Sequence, residues 1–212
     1  MQAKIIEFIR RNRVSTTEVA DCMGKTGEVK GAKALNSGMF AVGPVKWVYA
    51  YEESNWPLHE QLRDIKEGEI ALVEMFDCGD RAAFGELVAK YCVLYQGCAA
   101  IVCTGPMRDA NDLIKNKYPV WCNGVTPIGT FNTKPTKAFP EDVLQERKAM
   151  YDGAIAVCDD SGVVVIPPHM VTEEFLKKLE FIEEQEDIWF DLLDRKKWDT
   201  YDIVCLKKYL QK

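Results

Sequence analysis

Two short runs in the sequence hold residue types that catalysis can use. In the first, Gly85-Glu86 follows the loop Cys78-Gly79-Asp80-Arg81 and opens a helical pattern. Unpaired backbone N–H groups at such a start, together with the helix dipole, suit a carboxylate or a phosphate. The second run is Thr104-Gly105-Pro106-Met107-Arg108-Asp109, directly after the apolar stretch Ala99 to Cys103. In open α/β sheets, ligands collect beyond the carboxyl ends of the strands, where Arg108 and Asp109 would stand. Arginine can clamp a carboxylate through two parallel N–H groups, and aspartate is a hard oxygen ligand suited to Mg²⁺ or Mn²⁺. The same pair also fits a plain helix start, a terminal carboxylate beside an exposed arginine. Spacing alone leaves both readings open.

The elements that must position these residues follow from periodicity. Ala3 to Asn12 carries Ile5, Ile6, Phe8 and Ile9 at helical spacing. Ser15-Thr16-Thr17-Glu18 is a capping box for a second helix that ends at Gly24. Gly24-Lys25-Thr26 resembles the tail of a phosphate loop, but Val19 stands where that motif requires glycine. Strands are expected at Val42 to Tyr51 and Ile70 to Phe76, with a short helix between them near Leu58 to Ile65. A long helix follows from about Phe84 to Tyr95, then a strand Ala99 to Cys103, a helix Asp109 to Asn116 and a strand Val120 to Cys122. Strands alternating with helices indicate an α/β core with parallel pairing. After a loop at Thr133 to Pro140 the pattern turns to β, with a hairpin whose turn is Asp159-Asp160-Ser161-Gly162. A charged helix from Val171 carries an apolar stripe of Phe175, Leu179, Ile182, Trp189 and Leu192, and a last helix is expected near Tyr201 to Leu210. A single domain over residues 1–212 with a helical carboxy-terminal arm is the simplest organisation.

Composition narrows the chemistry. The 212 residues carry 27 Lys+Arg against 33 Asp+Glu, a net charge of −6, which argues against a nucleic-acid partner. No apolar run approaches a membrane span, and the amino end is too charged for a signal peptide, so a cytoplasmic protein without a membrane partner is expected. A multi-histidine metal site would need both His59 and His169, the only histidines. The eight cysteines form no CxxC pair and sit mostly in apolar runs, as reduced core filler. Lys46, on the strand face shared with Val48 and Ala50, is the best candidate for a Schiff-base lysine, against the plainer reading of a solvent-facing edge lysine.

Taken in order, STTEVADCMGKTG, GDRAAFGELVAKY, TGPMRDANDL, PVWCNGVTPIGT and DDSGVVVIP resemble the RraA-like family over about Val14 to Pro167. That family contains divalent-metal 4-hydroxy-4-methyl-2-oxoglutarate/4-carboxy-4-hydroxy-2-oxoadipate aldolases and the regulator of ribonuclease activity A. The resemblance implies an α/β/α swivelling-domain fold, with the arm at 171–212 beyond it. It also implies a homotrimer or hexamer with active sites between subunits. By residue, it implies that Asp109 binds Mg²⁺ (or Mn²⁺) directly while Glu86 and Asp112 hold metal-bound waters. Arg108 would grip the oxygens of a small 2-oxo acid, and the start Gly85, Leu87 and Val88 would take its carboxylate on backbone amides. The implied reaction is metal-dependent cleavage of a 4-hydroxy-2-oxo acid to pyruvate, with oxaloacetate decarboxylation as a side activity.

The sequence departs from the family pattern at three points. The spacing from Glu86 to Arg108 is one residue longer than usual, Thr104 replaces a common Asp, and Asn123 replaces a common Arg. The aromatic run Trp47-Val48-Tyr49-Ala50-Tyr51 has no counterpart role. Glu183, Glu184 and Glu186 could enter a neighbour's site, against the plainer role of a solvated acidic face. No glycine-rich nucleotide loop supports the methyltransferase label some members have carried. The rival reading is a catalytically silent binding protein like the ribonuclease regulators, which lack the Asp after the Arg; Asp109 and Asp112 favour the enzyme.

Overall fold

A computed structural model describes residues 1–211. Seven strands form one sheet: β1 (Lys33–Ala34), β2 (Ala41–Tyr51), β3 (Ile70–Phe76), β4 (Ala100–Cys103), β5 (Val120–Cys122), β6 (Ile155–Asp159) and β7 (Gly162–Ile166), in the order β1-β5-β4-β3-β2-β6-β7. β2 to β5 pair in parallel, as the alternating pattern requires, and β6 and β7 form the expected antiparallel hairpin. β2 belongs to both halves: Ala41 to Pro44 run antiparallel to β6, and Val45 to Tyr51 run parallel to β3. Pro44 has no N–H for a ladder, and at Gly43 a Cβ would strike the Gly68 carbonyl, so the changeover occurs where the chain can bend closely. The bend curls the sheet until its ends nearly meet. Val29 donates to the Val163 carbonyl at 2.9 Å and Val165 to the Gly27 carbonyl at 2.9 Å, beside the two-residue strand β1.

The helices α1 (Gln2–Asn12), α2 (Thr16–Cys22), α3 (Trp56–Gln61), α4 (Glu86–Lys90), α5 (Ala110–Lys115), α6 (Glu141–Tyr151) and α7 (Glu173–Asp194) cover the curled sheet. One layer, from α3, α4 and α5, buries Leu58, Val88, Ala89 and Leu113 against Val48, Val73, Ile101 and Val120. The other, from α1, α2 and α7, buries Ile5, Ile9, Val19, Phe175 and Leu179 against Val42, Val157, Val164 and Ile166. Leu72, Val102, Trp121, Ala156 and Val163 fill the space inside the curl. The arrangement is the α/β/α fold expected. The capping box forms as read: Glu18 N–H donates to Ser15 Oγ at 3.2 Å and Ser15 N–H to Glu18 Oε2 at 2.6 Å.

Several expectations need correction. The helix expected from Phe84 to Tyr95 begins only at Glu86, because Gly85 is extended, and it widens into a π-type turn at Tyr91–Tyr95. The helix near Leu58 starts earlier, at Trp56, and tightens into a 3₁₀ turn at Leu62–Asp64. The terminal helix is instead a π-type turn, Tyr201–Cys205, and a 3₁₀ turn, Lys208–Leu210. The short strand β1 and helix α6 were not expected at all. Helix α6 explains the aromatic run: Phe139, just before it, stacks on Tyr49 (3.9 Å between ring centres) and meets Tyr51 and Phe76 edge-on. Below it, Glu74 accepts from Trp47 Nε1 and Arg147 Nε, both at 2.8 Å. The run is a shelf on which residues 131–151 sit.

Lys46 lies on the stretch of β2 past the end of the β6 pairing, half-buried. All eight cysteines are free, and six are buried, with Cys92 and Cys103 pushed up to about 12 by burial; Cys205 is exposed and is not core filler. Among the described residues no helix is long and apolar enough to cross a membrane.

The acidic face of α7 is not uniformly solvated either. Glu183 is pushed up to about 7 by burial, by a hydrogen bond with Glu18 of α2, and by Glu186 and Asp187 beside it. The native carboxyl therefore holds its proton more tightly than the unfolded one. Its contribution to docking α7 on α2 is complete below about 4.5 and lost as pH rises through about 7. The protection factors of α7 amides, each rate divided by its intrinsic rate at the same pH, should be higher at pH 5.5 than at pH 8, and Glu183→Gln should remove most of that difference. Equal pH dependence in both proteins would refute the assignment.

Candidate active site

The loops that leave the carboxyl ends of β2, β3, β4 and β5 converge on one corner of the sheet. The β3 loop ends in Gly85 and α4, and the β4 loop ends in Arg108, Asp109 and α5. They are laced together by backbone bonds: Ala83 N–H to the Pro106 carbonyl at 3.0 Å, and Arg108 N–H to the Phe84 carbonyl at 3.0 Å. The β5 loop joins them: Met107 N–H donates to the Gly124 carbonyl at 3.1 Å, Thr126 N–H donates to the Met107 carbonyl at 3.0 Å, and Ala82 pairs with Gly129. Asn55, at the end of β2, donates to the Ala83 carbonyl at 3.1 Å, where Thr130 Oγ1 also donates at 3.1 Å.

Asp109 decides the geometry. It stands at the N-cap of α5 in the left-handed conformation, φ 58°, which non-glycine residues adopt at a cost. Its side chain does not cap its own helix. It turns back to accept the Glu86 N–H at 3.0 Å through Oδ2. Gly85 makes this possible, because a Cβ there would overlap the Asp109 carboxylate. The carboxylate therefore caps α4 rather than its own helix, and among the described residues its other oxygen has no protein partner. Arg108 Nε lies 3.8 Å from Asp109 Oδ2, with both side chains about half exposed. Gly129 packs flat against the guanidinium, so close that a Cβ would come within 2.7 Å of Nη1.

The other expected residues are placed as follows. Leu87 and Val88 occupy the first turn of α4, whose N–H groups no intrahelical carbonyl can reach. Asp112 is exposed in the first turn of α5, three residues from Asp109 and hence on the same side of the helix. Glu86 is half-buried and faces the Tyr118 hydroxyl, which burial and then the Glu86 charge push above its usual range. Among the described residues, no three His, Cys, Asp or Glu side chains converge as a metal cluster. Asn55, Arg81 and Gly129 build the walls of the corner and were not singled out from the sequence. The Gly-Asp-Arg run at 79–81 was the available signal.

A cavity of about 540 Å³ lies elsewhere, between Met23, Glu74, Tyr151 and His169. Its half-buried acid, Glu74, is neutralised by Arg147. Volume and chemistry thus point to different places.

The family pattern described as Aldolase/RraA, RraA-like, matches residues 16–165. The chain belongs to the RraA-like family. Protein DlpA of Legionella pneumophila is 22% identical over 174 residues, 79% of this chain but 28% of DlpA, so the chain spans under a third of that relative. The RraAS2 structure of Streptomyces coelicolor, an unusual member of the RNase ES inhibitor RraA family, superposes with a TM-score of 0.67 at 21% identity, covering 87% of this chain and 96% of that one. The RNA-processing inhibitor RraA from Thermus thermophilis gives 0.56 at 20% identity over 73% and 93%. At these identities the likeness is one of fold.

Gly85→Ala should break the Glu86–Asp109 bond and lower stability by about 1–3 kcal/mol, measured by urea unfolding. Wild-type stability would mean that the two loops separate freely and that the contact is not a constraint.

Proposed function

We propose that this RraA-like protein is a divalent-metal-dependent aldolase that cleaves 4-hydroxy-2-oxo acids to pyruvate and also decarboxylates oxaloacetate. The observation that carries the reading is the Asp109 carboxylate, diverted from its own helix to the first amide of α4, beside an Arg108 that donates no side-chain hydrogen bond among the described residues.

In this reading Asp109 holds Mg²⁺ or Mn²⁺ directly, and Asp112 and Glu86 hold its waters. When bound, the cation supplies Lewis-acid polarisation of the 2-oxo group. The Leu87 and Val88 amides receive the substrate carboxylate, and Gly85 leaves the backbone open for it. Arg108 binds the 2-oxo oxygen. Asp112 and Glu86 would take up the proton that the C4 hydroxyl gives, directly or through solvent; the C4–O bond then becomes a carbonyl and the C3–C4 electron pair passes into the enolate of pyruvate. Arg108 stabilises the oxygen on which that charge develops, and protonation at C3 releases pyruvate. If carbon dioxide leaves from C4 of oxaloacetate instead, the same enolate forms.

The site is an open ledge on one chain. Leu87 is 79% exposed, and Leu94, Tyr95, Ile128 and Phe131 around it are each more than half exposed. An apolar rim of this kind supports a homotrimer or hexamer in which a neighbour closes the cleft. Glu183, Glu184 or Glu186 of that neighbour could then contribute.

The alternative is a catalytically silent regulator that acts by binding protein, favoured by the inhibitor descriptions of the similar structures. One experiment separates them. Purified protein with Mg²⁺ should release pyruvate from a 4-hydroxy-2-oxo acid or oxaloacetate. EDTA or Asp109→Ala should lower that rate by at least about 10²-fold. An intact oligomer with no turnover on any 2-oxo acid would favour the regulator.

A further inference from the structure

Two arginines flank Gly129, and their surroundings differ. The Arg81 guanidinium is engaged three ways. Nη1 donates to the Gly129 carbonyl at 3.1 Å, Nε pairs with Glu53 Oε2 at 3.2 Å, and the guanidinium carbon lies 4.5 Å over the Phe131 ring. Arg108, on the other side of the same glycine, donates no side-chain hydrogen bond to the protein among the described residues, and its one ionic neighbour there is Asp109, at 3.8 Å. One guanidinium is locked and charge-balanced; the other is free to bind.

Their connection is Gly129 itself. Its carbonyl is held by Arg81, while its Cα side meets Arg108 closely enough that a single added carbon would come within 2.7 Å of Nη1. The segment is pinned on both flanks: Phe131 N–H donates to the Glu53 carbonyl at 2.8 Å, and Thr130 N–H to the Ala82 carbonyl at 3.0 Å. Glu53, Arg81, Gly129 and Phe131 thus form a closed clamp from the ends of β2, β3 and β5, pressed against the one arginine that has no clamp of its own. A flat guanidinium grips a carboxylate through two bonds only when its plane is set beforehand.

We propose that Arg81 is a positioning residue that sets the place and plane of the Arg108 guanidinium through Gly129. Its kinetic consequences rest on the aldolase reading above; its structural consequence does not. Arg81→Met releases the Gly129 carbonyl and strands Glu53, so the wall behind Arg108 moves. A displacement near 1 Å at a binding group costs roughly 10- to 100-fold in kcat/KM. The loss should raise KM for the 2-oxo acid and also lower kcat, since Arg108 both meets the substrate and stabilises the developing enolate oxygen.

The test is a cycle of variants with Mg²⁺-dependent pyruvate release as the rate. Arg81→Met and Gly129→Ala should each raise KM, the second by pushing Arg108 directly without touching Arg81. Because both act through one guanidinium, the double variant should be no worse than the poorer single one. Arg81→Lys, which keeps the charge on Glu53 but not the fork, should fall between wild type and Arg81→Met. Losses that multiply in the double variant, or an unchanged KM in Arg81→Met, would overturn the proposal. Crystal structures of the same variants supply the arm that needs no turnover. Arg108 should leave its wild-type position in Arg81→Met; an unmoved Arg108 refutes the proposal even if the wild type is active. A wild type without turnover would sink the aldolase reading and leave this arm to decide. Should Arg81→Met not fold, Arg81→Lys and Gly129→Ala carry both readouts.

Discussion

The candidate site depends on how closely one carboxylate can approach one stretch of backbone. Asp109 reaches the Glu86 N–H only because residue 85 has no side chain and because Asp109 itself accepts a left-handed conformation. The two requirements support each other. An alanine at 85 would expel the carboxylate, and an aspartate in the ordinary β conformation at 109 would cap α5 instead. Once the contact exists, the starts of α4 and α5 are fixed to one another, and Arg108 is carried to the edge between them. Everything anionic that this corner could bind meets an orientation set by that one bond.

The scaffold holds the corner from three sides. The parallel strands β2 to β5 deliver their loops to the same end of the sheet, which is where helix N-termini and strand carboxyl ends coincide. The bend in β2 lets one strand serve both halves of the curled sheet, so the corner rests on the same core as the amino- and carboxy-terminal helices. The aromatic shelf of Trp47, Tyr49, Tyr51 and Phe76 then seats Phe139 and holds the chain that leaves the site. Glu52 adds polar anchors, accepting from the Thr136 hydroxyl at 2.7 Å and its N–H at 2.6 Å. What looked in the sequence like an aromatic strand without a role is the seat of a strap.

Much of this was legible in advance where the signal is local. The capping box at Ser15 and Glu18, the apolar strands and the Asp-Gly hairpin turn each depend on residues a few positions apart, and each formed as read. Helix α6 was not legible because only Val143, Leu144, Arg147 and Tyr151 face inward, too sparse a stripe to stand out. The strand β1 has two residues, fewer than a periodicity can register. The expected run from Phe84 to Tyr95 was read as one helix because apolar spacing does not reveal an extended glycine at the start or a π-type turn at the end.

The sequence by itself determined the α/β class, the family, and the pair of segments on which an acid, an arginine and a helix start occur. Those are properties of residue type and short spacing, and they survive any packing. Tertiary structure decided which of two roles Asp109 plays, since a carboxylate at a helix start can cap its own helix or serve another, and only the distance to Gly85 separates the two. It also decided that Arg81 is tied to Glu53, Gly129 and Phe131 while Arg108 is left unpaired. Two arginines in one sequence are chemically equal; the neighbours that folding brings to each make one a brace and leave the other open to a ligand.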